Sequence, residues 1–196
     1  MEQNQIKPED IYDRKDYINK RPQLRKEIVA RKKRRRVDLG PYVTLYFENR
    51  ETIIHQINEM VFIENGGKEQ IEEEILAYKS LIPNGKELIA TVMVEIDNPL
   101  KRAEVLSKMG GFEETFTLKV GDILVKARAE LDVDRTTAEG KASSVQFIHF
   151  NFKENEVNKF KDDNVNIELS INHEFYKHAT LLKTETKNEL RSDFIV

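Results

Sequence analysis

The chain has 196 residues, with no cysteine or tryptophan, 39% apolar residues, 34% charged residues and a net charge of −3. This composition reads as one charge-rich globular domain, and it excludes disulfides, a cysteine nucleophile and any thiolate-held metal or cluster. No apolar run is long enough for a bilayer, and the polar start Met1-Glu2-Gln3-Asn4-Gln5 lacks a signal-peptide core, so the expected location is cytoplasmic.

The charge is unevenly spread. Residues 1–36 hold thirteen Lys and Arg against six Asp and Glu, a net of +7, which leaves −10 for the remainder. A basic helical segment (about 1–36) of this kind either docks on the protein's own acidic surface or reaches for nucleic acid. Aromatics are not interleaved with the run Arg31-Lys32-Lys33-Arg34-Arg35-Arg36, so single-strand stacking platforms are missing. Nucleic-acid binding is therefore expected to be weak, sequence-indifferent and steeply salt-dependent.

Pro8-Glu9-Asp10 has the form of a first helical turn, with a short helix running on to about Tyr17. Pro22 is read as the start of a second helix, with Leu24 and Ile28 on one face and the basic cluster at its end. Gly40-Pro41 is read as its breaker. Residues 42–47 follow as a strand, with Val43, Leu45 and Phe47 on one face. A helix over about 50–64 aligns Ile53, Ile57, Met60 and Val61, with Glu51, His55 and Glu59 on its other face. Asn65-Gly66-Gly67 stops it. The next helix, from Lys68 to about Leu81, buries Ile71, Ile75, Leu76 and Tyr78, and Pro83-Asn84-Gly85 is a turn.

The middle of the chain is the clearest. Residues 88–96 alternate as a strand. Asn98-Pro99 caps a helix over 99–109, ended by Gly110-Gly111, and a strand over 113–120 completes the unit. Gly121-Asp122 makes a hairpin to 123–131, whose wet face carries Lys126, Arg128 and Glu130. After a polar loop from Asp132 to Ser143 come a Phe-rich strand over 144–152, a short helix over about 154–161, strands over 165–171 and 179–183, and a helical or frayed tail. The fold class is α+β: a mostly antiparallel sheet of about six strands, with four or five helices packed mainly on one face, in a single domain spanning 1–196.

The common chemical signatures fail. Gly140-Lys141-Ala142-Ser143 lacks the first glycine of a P-loop, where Arg135 stands, and the hydroxyl after its lysine. Asp132-Val133-Asp134 has Thr137 and Ser143 where a calcium loop needs glycine and glutamate. His55, His149, His173 and His178 form no zinc motif. Glu51, His55 and Glu59 at spacings of four can offer metal ligands or stand as a solvated helix face. His149, among Phe147, Ile148, Phe150 and Phe152, is expected to be a hydrogen-bonded core histidine.

The run Leu39-Gly40-Pro41-Tyr42-Val43-Thr44-Leu45-Tyr46-Phe47-Glu48-Asn49-Arg50, followed by Thr52, Ile53, Gln56, Glu59 and Met60, resembles the hallmark of an uncharacterised bacterial domain-of-unknown-function family. Leu81-Ile82-Pro83 with Gly85, the 135–144 loop running into Val145-Gln146-Phe147, and His173 with Tyr176 are similar to its further, weaker segments. The resemblance spans nearly the whole chain and implies no established activity. Genes of that family often lie beside those of rubrerythrin and an iron–sulfur oxidoreductase, so the resemblance implies association with redox or peroxide metabolism and those two proteins as expected partners. It also implies an aromatic where this chain has His55, which shifts weight to Glu48, Arg50, Gln56 and Glu59.

Two functional readings result. One is a non-catalytic accessory or binding module, with Glu48, Arg50, Gln56, Glu59, Arg135, Lys141, Ser143, His173 and Tyr176 as the candidate site. The other is an enzyme or cofactor-binding protein that holds an anionic small molecule with Arg50, Arg135 and Lys141 and moves protons with Glu59 and His173. Convergence of those side chains in one concavity favours the second. Arg50 is expected to be buried against Glu48 or Glu59.

Overall fold

A computed structural model describes residues 5–130 and 141–195. Its strands are β1 (Arg36–Leu39), β2 (Val43–Glu48), β3 (Glu87–Val94), β4 (Phe116–Val120), β5 (Ile123–Ala129), β6 (Val145–Asn151), β7 (Ile167–His173) and β8 (Tyr176–Leu181). Its helices are α1 (Arg14–Arg34), α2 (Arg50–Ile63), α3 (Lys68–Tyr78), α4 (Pro99–Ser107), α5 (Glu154–Lys161) and α6 (Thr184–Arg191). Single 3-10 turns lie at Pro8–Asp10, Lys79–Leu81 and Phe112–Thr115.

The eight strands form one antiparallel sheet in the order β1-β2-β3-β6-β5-β4-β7-β8. It curls until β1 comes beside β7 and β8, making a near-barrel. No ladder joins β1 to β8. Tyr176 closes the seam instead: its hydroxyl donates to Leu39 O (2.7 Å) and accepts from Tyr42 N (3.0 Å) and Val43 N (3.3 Å). Gly40 keeps β8 close, because a Cβ there would meet the His178 ring at 2.5 Å and its φ is +74°.

The inner face is the main core. Leu39, Leu45, Leu88, Leu118, Ile148 and Leu169 face inward, packed with Leu106 of α4, Phe160 of α5 and Leu190 of α6. Phe152, Phe160 and Phe194 meet edge to face, with ring centroids 4.9–5.8 Å apart. A second core lies on the outer face. There Ile53, Ile57 and Val61 of α2 pack with Leu81 and Ile89, joined by Ile71, Ile75 and Tyr78 of α3.

Several sequence expectations are corrected. There are eight strands and six α-helices among the described residues, and helices cover both faces of the sheet. The unread strand is β1. It is only four residues long, and its first lies in the basic run, yet Val37 and Leu39 point inward and Arg36 and Asp38 outward. Gly40-Pro41 is thus part of a hairpin loop, not a helix breaker. The helices expected over about 8–17 and from Pro22 are instead a 3-10 turn at Pro8–Asp10 and the single helix α1, with Pro22 inside it. An interior proline removes a helical hydrogen bond. Here Tyr17 and Arg21, in the turn before it, are both held by Glu59 of α2. Leu76 is 72% exposed rather than buried. Residues 99–107 and 123–129 follow the expected helix and strand, and Leu131 lies outside the described residues.

The basic segment lies on the protein's own acids. Arg21 pairs with Glu59 (2.8 Å), Arg31 and Arg34 with Glu189 (3.5 and 2.8 Å), and Arg35 with Asp193. Among the described residues, no helix is long and apolar enough to cross a membrane.

Candidate functional site

Tyr46, Thr91 and Phe147 are paired in register across β2, β3 and β6, and Met93 pairs with Val145 one row along. These side chains stand on the outer face and form the floor of a cavity of about 370 Å³. Ile53 and Gln56 of α2, Tyr78 at the end of α3, Leu81 of the 3-10 turn after it, and Lys32 of α1 complete its walls.

Glu48, the last residue of β2, lies in this cavity at 6% exposure. A reciprocal cap places it. Asn49 accepts from Thr52 N (3.0 Å), and Thr52 Oγ1 accepts from Asn49 N (2.9 Å), which starts α2 at Arg50. The Thr52 hydroxyl then donates to Glu48 Oε2, and the Thr91 hydroxyl donates to Oε1 at 2.7 Å. Each carboxylate oxygen therefore accepts one hydroxyl.

The Tyr78 phenol sits above its ordinary pKa, chiefly through burial, although a hydrogen bond with Gln56 works against the rise. Burial likewise raises Tyr46, helped by Glu95, whose carboxylate accepts its hydroxyl at 3.2 Å. Both phenols stay neutral donors at pH 7. Lys32 is the cation of the cavity. It is half-buried, and its ammonium makes no hydrogen bond or ion pair with a described residue.

A second, wider cavity of about 640 Å³ lies between α1 and α2 and takes in Arg31, Arg34, Arg50, Glu51 and His55. Its arginines are answered. Arg50 pairs with Asp10 at 2.5 Å and reaches Gln5 O at 3.4 Å, so it is not buried against Glu48 or Glu59 as expected. Burial lowers the pKa of His55, with the Glu59 charge opposing, and keeps the ring neutral.

Glu59 is bound on both oxygens. Arg21 grips it with two 2.8 Å hydrogen bonds, and Tyr17 donates to it at 2.7 Å. The Arg21 hydrogen bonds, reinforced by Tyr17 and opposed by burial, pull its pKa down to about 2. A group with a depressed folded pKa stabilises the fold above its unfolded value, near 4.5 here, and loses that contribution as pH falls towards about 2. Glu59→Gln is expected to cost about 1–2 kcal/mol at pH 7, after discounting for partial exposure. Urea melts should show the gap to wild type closing between those two pH values, and a gap that holds constant would contradict the assignment.

Those expected site residues that are described do not all meet in one place. Glu48 and Gln56 share the first cavity, and Arg50 lines the second. His173 Nε2 lies 3.2 Å from Gly110 O, and Tyr176 sits at the seam. Ser143 accepts from Val145 N at 3.3 Å, Lys141 is exposed, and Arg135 and the 131–140 segment lie outside the described residues. Among the described residues no three His, Asp or Glu side chains cluster to hold a metal.

His149 is hydrogen-bonded, as expected, but on the outer face rather than in the core. Its ring lies between Glu87 (3.3 Å) and Glu130 (3.1 Å). Burial opposes its charge, but Glu87 and then Glu130 outweigh that and raise its pKa. The sequence reading missed Lys32, Tyr46, Tyr78, Thr91, Met93 and Phe147 as cavity walls. For Tyr46, Thr91, Met93 and Phe147 the signal was the outward half of each strand's alternation.

A family model described as a protein of unknown function, DUF3501, matches residues 5–194. Among solved structures, the chain is similar to a crystal structure of a novel protein of unknown function from Burkholderia pseudomallei. The two share 29% identity at a TM-score of 0.89, over 97% of this chain and 99% of that one. No curated protein matches the chain.

Proposed function

The chain belongs to the DUF3501 family of proteins of unknown function, and we propose that it is a non-catalytic binding module taking a small organic anion into the cavity beside Lys32. The observation that carries this reading is the ammonium of Lys32, unanswered by any described residue, beside walls of Tyr46, Tyr78 and Phe147. An apolar pocket with a few placed polar groups is the usual form of a small-molecule site. The aromatic walls take the ligand's apolar body, and Lys32, with the Gln56 amide, takes its carboxylate or phosphate. Glu48 repels the anion less than a free carboxylate would, because hydroxyls occupy both its oxygens.

Binding is favoured over catalysis for a chemical reason. A general base needs a free lone pair aimed at the substrate and a pKa near the working pH. The Glu48 carboxylate is stabilised by a hydroxyl on each oxygen, which makes it a weaker base, and the two phenols are shifted away from neutrality. Arg50, Glu59 and His173, the core of the enzyme reading, lie apart. The family resemblance further supports an accessory place in a cytoplasmic redox or peroxide system, with rubrerythrin or an iron–sulfur oxidoreductase as partner.

Calorimetric titration with a panel of aromatic monocarboxylates and phosphate monoesters tests the reading. At least one compound is expected to bind, and Lys32→Met should weaken it by about tenfold or more, which is about 1.4 kcal/mol. The variant's unfolding free energy should stay within about 0.5 kcal/mol of wild type. A panel without a binder, or a binder indifferent to Lys32→Met, would refute the proposal.

A further inference from the structure

The two outer helices of the α1–α2–α3 layer carry opposite charge. Within Arg14–Arg34, α1 holds ten Lys and Arg against two acids. Several of these cations bind the protein itself, but Lys15, Lys26 and Lys33 make no hydrogen bond or ion pair with a described residue. They fall on one exposed stripe, Lys15, Ile18, Pro22, Lys26, Val29 and Lys33, recurring every three or four residues. The stripe also exposes two β-branched apolar side chains, Ile18 at 51% and Val29 at 66%.

The third helix offers the complement. Along α3 the exposed positions are Lys68, Glu69, Glu72, Glu73, Leu76 and Ala77, and of these Glu69, Glu72, Glu73 and Leu76 share one helix face. Beside them runs an apolar groove of about 580 Å³, walled by Pro8, Ile75, Leu76, Ile82 and Pro83, with Glu72 and Lys79 as the charged residues of its lining. The lengths agree. Ile18 and Val29 are eleven residues apart, about 16 Å along a helix, and α3 is eleven residues long. Single exposed apolar side chains are ordinary. Here two lie on a lysine stripe, and an apolar groove lies beside a glutamate stripe.

We propose that the occupant of this groove is α1 of a second copy of the chain. Ile18 and Val29 enter the groove while Lys26 and Lys33 meet Glu72 and Glu73. Both helices pack on α2. Two facing copies can therefore exchange the contact reciprocally, which gives a twofold dimer. Nucleic acid is the weaker occupant, because the chain beyond residue 36 carries −10 and repels a polyanion.

Light scattering during gel filtration, at concentrations from about 1 to 100 μM, reads the result. At about 50 mM salt, where screening is weak, wild type should approach twice the 22.9 kDa chain mass. At about 1 M salt the dissociation constant should rise by about tenfold or more. Lys26→Glu with Lys33→Glu should give monomers, as should Glu72→Lys with Glu73→Lys, and mixing the two variants should restore dimers. Circular dichroism melts confirm that each variant is folded. A wild type monomeric throughout overturns the proposal, as do dimers that survive both reversals. Monomers that retain a random-sequence duplex through Lys26 and Lys33 would assign the stripe to nucleic acid and overturn it as well.

Discussion

Replacing Arg35 with methionine is expected to cost about 3–5 kcal/mol of unfolding free energy, enough to threaten a domain of ordinary stability. Arg35 has no exposed surface and stands where α1 turns into β1. Its Nε donates to Phe47 O (2.8 Å) and its Nη2 to Glu48 O (3.2 Å) and to Asp193. Glu189 lies 3.7 Å from Nη1. One side chain therefore ties the end of β2 to the C-terminal segment. The loss arises less from the ion pair than from what is left behind, two carbonyls and a carboxyl buried without their donor. Burial pushes Asp193 up to about 6, with the Arg35 charge pulling the other way. Without Arg35 it should hold its proton at neutral pH, which limits the penalty. Arg35→Lys should fall between, since an ammonium lacks the planar fork. A loss below about 1 kcal/mol in urea melts of Arg35→Met would contradict this assignment.

Tyr176→Phe should cost about 2–3 kcal/mol, although it removes a single oxygen. That oxygen serves Leu39 O, Tyr42 N and Val43 N together, where β1 and β8 share no ladder. The phenyl ring keeps its packing, so the change reports the hydrogen bonds alone. Hydrogen exchange should speed up at residues 37–43 and 176–181 before any other strand. Uniform acceleration over the whole sheet would mean that the seam is not a separate opening unit.

Where local chemistry decides structure, the sequence was readable. Asn98 and Pro99 cap α4, with the Asn98 side chain accepting from Leu100 N and Lys101 N, and the alternation of 123–129 matches its burial. Distant chemistry was opaque. β1 depends on pairing with β2, and α1 continues through Pro22 while Glu59, 38 residues beyond Arg21, holds the turn before it. For the candidate site, the placing of Glu48 and Gln56 near one hinge is legible, because an N-cap and a strand end are local, and both line the first cavity. Arg50 was matched to the wrong acid: Asp10 is forty residues away and nothing local points to it. Lys32 was one cation among six, and only packing separates it from its neighbours.

The seam also sets the order in which the protein can be completed as it is made. Leu39 and Tyr176 are 137 residues apart, and the acids that answer Arg34 and Arg35 come later still, at Glu189 and Asp193. A ribosome delivers β1 well before its neighbour across the gap. While translation proceeds, the free edge of β1 has no cover from its own chain, and an uncovered edge invites foreign strands. Arg36 and Asp38, charged and outward-facing on that edge, are the kind of residues that discourage such pairing until the C-terminal residues arrive.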